Sequence, residues 1–208
     1  MEIAGRGIAA PGDEVDPRKD RVYFDGTEIK YKDSDEYIML HKPKGCVCAA
    51  SDTLGRKTVL DLVGTERRVY PVCKLEYEAE GLVILTTDGE MTHRLTHPRF
   101  EIPKTYVVKI EGTLPPQDLA KLRGGVEVDG KTTGKTRVNL LETGKDYARL
   151  EITLREGQAQ RVRGMLAAVG KEAVFLKCTA IGGLKLGNLG RGMSRKLTAK
   201  EVAYLQGF

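Results

Sequence analysis

Apolar residues fall along this chain in short runs whose spacing separates strands from helices. Tyr37-Ile38-Met39-Leu40 is a compact apolar run and predicts a strand, broken by Lys42-Pro43-Lys44-Gly45 and resumed at Cys46-Val47-Cys48. Before it, Arg21-Val22-Tyr23-Phe24 ends at Asp25-Gly26, a turn signal. Residues 82–86 predict a buried strand, and strands are also expected near 69–72, 105–110, 126–128, 136–141 and 149–154. A short helix is expected around residues 59–63. Another leaves Asp88-Gly89, runs through Met91, Arg94 and Leu95, and is stopped by His97-Pro98. Pro115-Pro116-Gln117-Asp118 opens a third, which Gly124-Gly125 closes. Residues 160–169 carry the strongest helical period, with Val162, Met165, Leu166 and Val169 on one face and Gly170 as cap. From Ile181 to Leu189 glycine and leucine recur, and residues 197–202 resemble a capped closing helix. Many strands with interspersed helices predict an α+β fold, a mixed, mostly antiparallel sheet flanked by helices.

Composition adds limits. A chain of 208 residues, 40% hydrophobic and 30% charged, can bury one good core with a small appendage. Its longest apolar run, Leu82-Val83-Ile84-Leu85, is far below the roughly 18 to 20 residues of a membrane span. The start carries Glu2, Asp13, Glu14 and Asp16 without an apolar stretch, so a cytoplasmic protein with no secretory signal is expected. Lys and Arg outnumber Asp and Glu by 34 to 29, which permits a polyanionic partner without requiring one. Cys46, Cys48, Cys73 and Cys178 fit neither a disulfide framework nor a zinc pattern, and none of the three histidines lies at ligand spacing. Buried small hydrophobes are the expected role of these thiols, with no metal site.

The order of motifs from about residue 41 onward resembles RsuA-type pseudouridine synthases of ribosomal RNA. The resemblance rests on Lys42-Pro43-Lys44-Gly45, Ser51-Asp52 with Leu54-Gly55-Arg56, Thr58-Val59-Leu60-Asp61-Leu62, Tyr70-Pro71-Val72 and Glu80-Gly81-Leu82 through Asp88-Gly89. It continues through His97-Pro98, Lys104-Thr105-Tyr106, Glu156-Gly157, Arg163 with Met165, Ala168-Val169-Gly170 and the tail from Ile181-Gly182 to Leu186-Gly187. It implies a catalytic domain over residues 31–208, preceded over 1–30 by the end of a small RNA-binding module whose helices are absent. It also implies uridine isomerisation in ribosomal RNA, leaning to the large subunit, by a monomer without cofactor, metal or membrane.

Such chemistry extrudes a uridine, breaks its glycosidic bond and rejoins the ring through carbon, with one carboxylate as nucleophile or as base on the sugar. The family's Gly-Arg-Leu-Asp reads here Cys73-Lys74-Leu75-Glu76, so the resemblance puts Glu76 at the catalytic position, one methylene longer than Asp. By the same comparison Tyr106 stacks on the target base, Arg163 pairs with the carboxylate, and Leu184 closes the pocket. Lys74 and Lys104 join them as substrate contacts, and Lys42, Lys44, Arg161, Lys177 and Lys185 are expected to meet RNA. Without the resemblance, Glu76 reads as one of a solvated acidic series with Glu78 and Glu80, Tyr106 and Leu184 as core, and Arg163 as a helix-surface charge. Lys177, Lys185, Arg191, Arg195, Lys196 and Lys200 form a basic tail that would track phosphates or simply be solvated. Around Arg163 the family pattern changes: Ala159 replaces an Asn, Arg161 a Gln and Gly164 an Arg that would meet phosphate. Cys178 stands where an Arg is common. Two readings follow, an active synthase working through Glu76 and a catalytically inactive RNA-binding relative. A two-carboxylate hydrolase using Glu76 and Glu80 from one strand face is a distant third.

Overall fold

The computed structural model describes residues 2–4, 7, 8, 10, 12–16, 19–29, 34–72, 74–155 and 159–208. Pro17, Lys30, Cys73, Glu156, Gly157 and Gln158 lie outside them. The chain divides into two compact units, Met1–Asp35 and Glu36–Phe208.

The first unit is a small antiparallel sheet of β1 (Glu2–Ile3), β2 (Gly7–Ile8), β3 (Val22–Phe24) and β4 (Thr27–Ile29), in the order β2-β1-β3-β4. Asp25 and Gly26, at φ 47° and 74°, make the turn between β3 and β4. The second unit contains β5 (Tyr37–Lys42), β6 (Tyr70–Pro71), β7 (Glu80–Thr86), α1 (Gly89–Thr96), β8 (Lys104–Glu111) and α2 (Pro116–Gly124). It continues with β9 (Glu127–Val128), β10 (Lys131–Thr132), β11 (Arg137–Thr143), β12 (Tyr147–Leu154) and α3 (Ala159–Ala167). The chain closes with β13 (Ala173–Ile181), β14 (Leu184–Lys185), β15 (Ser194–Lys196) and α4 (Ala199–Gln206). Their large sheet runs β11-β12-β8-β13-β7-β5-β15, with β14 on β13 and β6 on β7. The α+β, mostly antiparallel architecture expected from the pattern is the one observed.

Strand β7 is buried along its whole length, which explains its uninterrupted apolar run from Leu82 to Leu85. Strands β8 and β12 alternate instead, Tyr106, Val108 and Ile110 of one and Ala148, Leu150, Ile152 and Leu154 of the other turning inward. Helix α3 adds Val162, Met165 and Leu166 to the same core. Thr198 caps α4 in a capping box with Glu201, and the capped closing helix expected over residues 197–202 begins at Ala199.

Three expectations need correction. Residues 46–48 form no strand: Val47 makes one isolated parallel bridge to Thr58, with Cys46 and Cys48 buried beside it. The helix at 59–63 contracts to a single 3-10 turn, Leu60–Leu62. Strand β13, unassigned from sequence, is central. Its inward positions Leu176, Cys178 and Ala180 do alternate, but Cys and Ala carry little apolar bulk and the signal is weak. It pairs in parallel with β7 through Cys178 and Gly81. Gly81 has φ 124°, and a Cβ there would lie 2.2 Å from the Cys178 carbonyl oxygen, so only glycine lets these strands meet. Among the described residues no helix is long and apolar enough to cross a membrane.

Candidate active site

The turn that leads into β7 carries Glu76. Ala79 donates its N–H to the Glu76 carbonyl at 3.1 Å, closing the turn before the strand starts at Glu80. The shape of this turn is held from below by Lys42, the last residue of β5. Its ammonium is fully buried and donates to the carbonyls of Pro43 (3.0 Å), Glu76 (2.9 Å) and Ala79 (2.8 Å), with Tyr77 at 3.4 Å. Burial pushes its pKa below the ordinary lysine value. Lys42 therefore cannot meet phosphate, and its expected RNA contact is replaced by a clamp on the loop. The same geometry removes the hydrolase reading. Glu76 and Glu80 share no strand face, and Glu80 is buried against Arg191 (3.0 Å) and His41 (3.9 Å).

Glu76 is paired across 87 residues of sequence with Arg163 of α3, whose Nε donates to Glu76 Oε2 at 2.7 Å. The guanidinium is oriented by a second bond, from its NH1 to the Ala173 carbonyl at 2.8 Å, where β13 begins. A charged hydrogen bond plus a backbone anchor fixes the carboxylate's rotamer. Both side chains remain about one-third exposed, at 33% and 31%. They are reachable by a substrate.

Glu76 opens onto a cleft of about 250 Å³. Lys74, Tyr77, Arg56 and Gln160 supply its polar wall, while Val47, Leu75 and Ala159 supply apolar surface. Arg56 is held by Asp52 through Nε (3.1 Å) and NH2 (2.7 Å), and these bonds hold the Asp52 carboxyl down at about 2. The Arg56 guanidinium lies 5.7 Å from the Tyr77 ring centroid. Arg56, Tyr77 and Gln160 were given no role in the sequence reading. The Asp52-to-Arg56 spacing was a usable signal, since it places an acid and a base within one turn of each other.

The other expected site residues are dispersed. Of the candidate substrate contacts, Lys74 lines the cleft with Glu76. Tyr106 is fully buried between Ile152 of β12 and Cys178 of β13, so its ring is not open to a base. Leu184, 4% exposed on the β13–β14 hairpin, and Lys104, at the start of β8, do not line the cleft either. Lys44 is exposed with its ammonium 5.5 Å from the Phe175 ring centroid, and Lys185 is exposed on β14. Lys177 is half-buried opposite Glu80, and Arg161 donates to the Thr132 carbonyl at 3.3 Å. The basic tail is no continuous track: Arg191 is paired with Glu80, Arg195 with Glu201 and Lys196 with Glu36. At Gly164, a Cβ would stand 2.5 Å from Val128 Cγ1, so the β9–β10 hairpin occupies the space an arginine would need. Among the described residues no group of three His, Cys, Asp or Glu side chains could hold a metal ion.

The chain as a whole has counterparts among known proteins. Residues 36–168 match the RNA pseudouridylate synthase family. The chain is 37% identical over 209 residues to ribosomal large subunit pseudouridine synthase B of Bacillus subtilis, covering 99% of this chain and 85% of that one. It is 35% identical to an uncharacterized RNA pseudouridine synthase of Aquifex aeolicus, covering 99% and 83% of the two chains. A crystal structure of a pseudouridylate synthase superposes with a TM-score of 0.76 at 27% identity, over 98% of this chain and 87% of the other. The archaeal Nop10–Cbf5 complex, at TM-score 0.51 and 18% identity over 72% and 48%, shares the fold alone. Sequence match and structural match agree, and the chain belongs to the RNA pseudouridylate synthase family.

Proposed function

We propose that this protein converts a specific uridine of large-subunit ribosomal RNA to pseudouridine, with Glu76 as the working carboxylate. The observation that carries the reading is the Glu76–Arg163 pair at the edge of the cleft, which keeps the carboxylate aimed despite its extra methylene. Arg163 engages Oε2, leaving Oε1 for the sugar of an extruded uridine. The N1–C1′ bond breaks, the uracil turns, C5 bonds to C1′, and the C5 proton leaves as N1 takes one up. Nothing is oxidised or consumed in this rearrangement. Lys74 and Arg56 supply charge for the adjoining phosphates. The substrate preference is supported by the name of the Bacillus subtilis relative, a ribosomal large subunit pseudouridine synthase, and a ribosomal RNA substrate implies a cytoplasmic site of action.

The test incubates the protein with unmodified large-subunit ribosomal RNA and maps pseudouridine by carbodiimide-dependent reverse-transcription stops. A new stop that disappears with Glu76→Gln is the expected result. Salt-sensitive RNA binding without any stop would reject the reading and leave an RNA-binding relative that has lost its chemistry.

A further inference from the structure

Tyr77 follows Glu76 directly, yet it is 42% exposed. It is the aromatic residue among the described ones that line the cleft. Its backbone is fixed, since its carbonyl accepts from Gly45 N–H at 2.9 Å and approaches the Lys42 ammonium at 3.4 Å. Its hydroxyl lies over Gly45, 3.8 Å from where a Cβ would stand, and Arg56 rests near its ring. Arg56 in turn is held by both oxygens of Asp52. A partly exposed ring placed beside a clamped arginine in a basic cleft is the combination that receives unstacked bases of single-stranded RNA.

We propose that Tyr77, with Arg56, is a stacking platform for an RNA base next to the uridine that is isomerised. The inference rests on the function proposed above and adds a binding residue to it. The flanking base is favoured over the target because the two side chains leave the turn toward different partners, Glu76 toward Arg163 and Tyr77 toward Gly45 and Arg56. A sugar held at Glu76 therefore sets its own base apart from the Tyr77 ring. Tyr106, which sequence comparison suggested for stacking, is sealed in the sheet. Because the Tyr77 backbone is already fixed by two polar contacts, little ordering remains to oppose binding.

The experiment compares the 208-residue wild-type chain with Tyr77→Phe and Tyr77→Leu. Each is titrated into a single-stranded nine-nucleotide RNA carrying 2-aminopurine beside a central uridine, and each is assayed for pseudouridine formation on unmodified large-subunit ribosomal RNA. Thermal melting of each variant checks that the fold is kept. Stacking of one base corresponds to about a tenfold or greater change in binding. The proposal expects Tyr77→Phe to bind as wild type, with the probe quenched. Tyr77→Leu should bind about tenfold more weakly with the quench lost and the same salt slope, and its KM should rise while kcat holds. Equal affinity and KM for all three would overturn the stacking role even if pseudouridine forms, leaving the catalytic reading intact. Tyr77-dependent quenching without pseudouridine would support the platform while rejecting the chemistry. Failure of the wild type to bind the probe would overturn the platform, and failure to bind the ribosomal RNA as well would overturn both.

Discussion

Replacing Lys42 with Met tests the clamp beneath Glu76. The two side chains are similar in length, so packing is nearly conserved while the donors vanish. Of the four carbonyls involved, Glu76 still accepts from Ala79 N–H and Tyr77 from Gly45 N–H, at 3.1 Å and 2.9 Å. Those of Pro43 and Ala79 lose the ammonium that bonds them at 3.0 Å and 2.8 Å. A buried carbonyl left without a partner costs about 1–3 kcal/mol, so two cost roughly 2–6 kcal/mol. Relief of the buried ammonium's desolvation offsets part of this and leaves about 3 kcal/mol. For a unit of this size that lowers Tm by roughly 6–12 °C. The turn also loses the support that holds Glu76, and a displacement of about 1 Å costs on the order of 100-fold in kcat. Calorimetry and single-turnover assays on the purified variant measure both. RNA binding by filter retention across a salt series supplies the discriminating measurement. A buried ammonium releases no counterion, so the slope of log Kd against log salt should match wild type, whereas a lost phosphate contact lowers it by about one. An unchanged Tm together with a shallower slope would refute the clamp and restore Lys42 to the RNA interface.

Three further outcomes are expected. Arg163→Lys keeps the charge but cannot bond Glu76 and the Ala173 carbonyl together as the guanidinium does. Its kcat should fall by roughly 10- to 100-fold with KM little changed, measured by steady-state kinetics. Gly164→Arg should not regain a phosphate contact; it forces a side chain into Val128 and should cost about 1–3 kcal/mol in urea unfolding. Burial lowers the His41 pKa from 6.5, so the unfolded chain takes up its proton first and stability falls as pH drops below that value. Hydrogen bonding to Arg195 lowers Glu201 from 4.5 to about 2, so its contribution is present above pH 4.5 and is lost as pH falls through about 2. Urea midpoints should therefore decline in two windows, with the upper one flattened in His41→Asn and the lower one in Glu201→Gln.

Much of the scaffold was legible along the chain, because period and turn chemistry are local. The continuous apolar run of β7, the alternation of β8 and β12 and the apolar face of α3 are written within a few residues of one another, and each became the element expected. Residue comparison likewise pointed to Glu76 and Arg163 as partners, and they meet at 2.7 Å. Burial is not local. Lys42 and Tyr106 look like surface and site residues in the sequence, but β5 and β8 lie inside a wide sheet, and the chains stacked against them decide that both are enclosed. Strand β13 was hidden because its small inward residues give little periodic signal, and it gained its central place through the close approach to Gly81. The pairing of Arg56 with Tyr77 depends on folding two distant loops against one cleft. The sequence by itself determined most of the strands and helices, and through its family resemblance it pointed to a carboxylate and an arginine that meet in the fold. Tertiary structure decided which cations are exposed and which ring lines the cleft, because exposure is set by residues far away in the chain that no local pattern records.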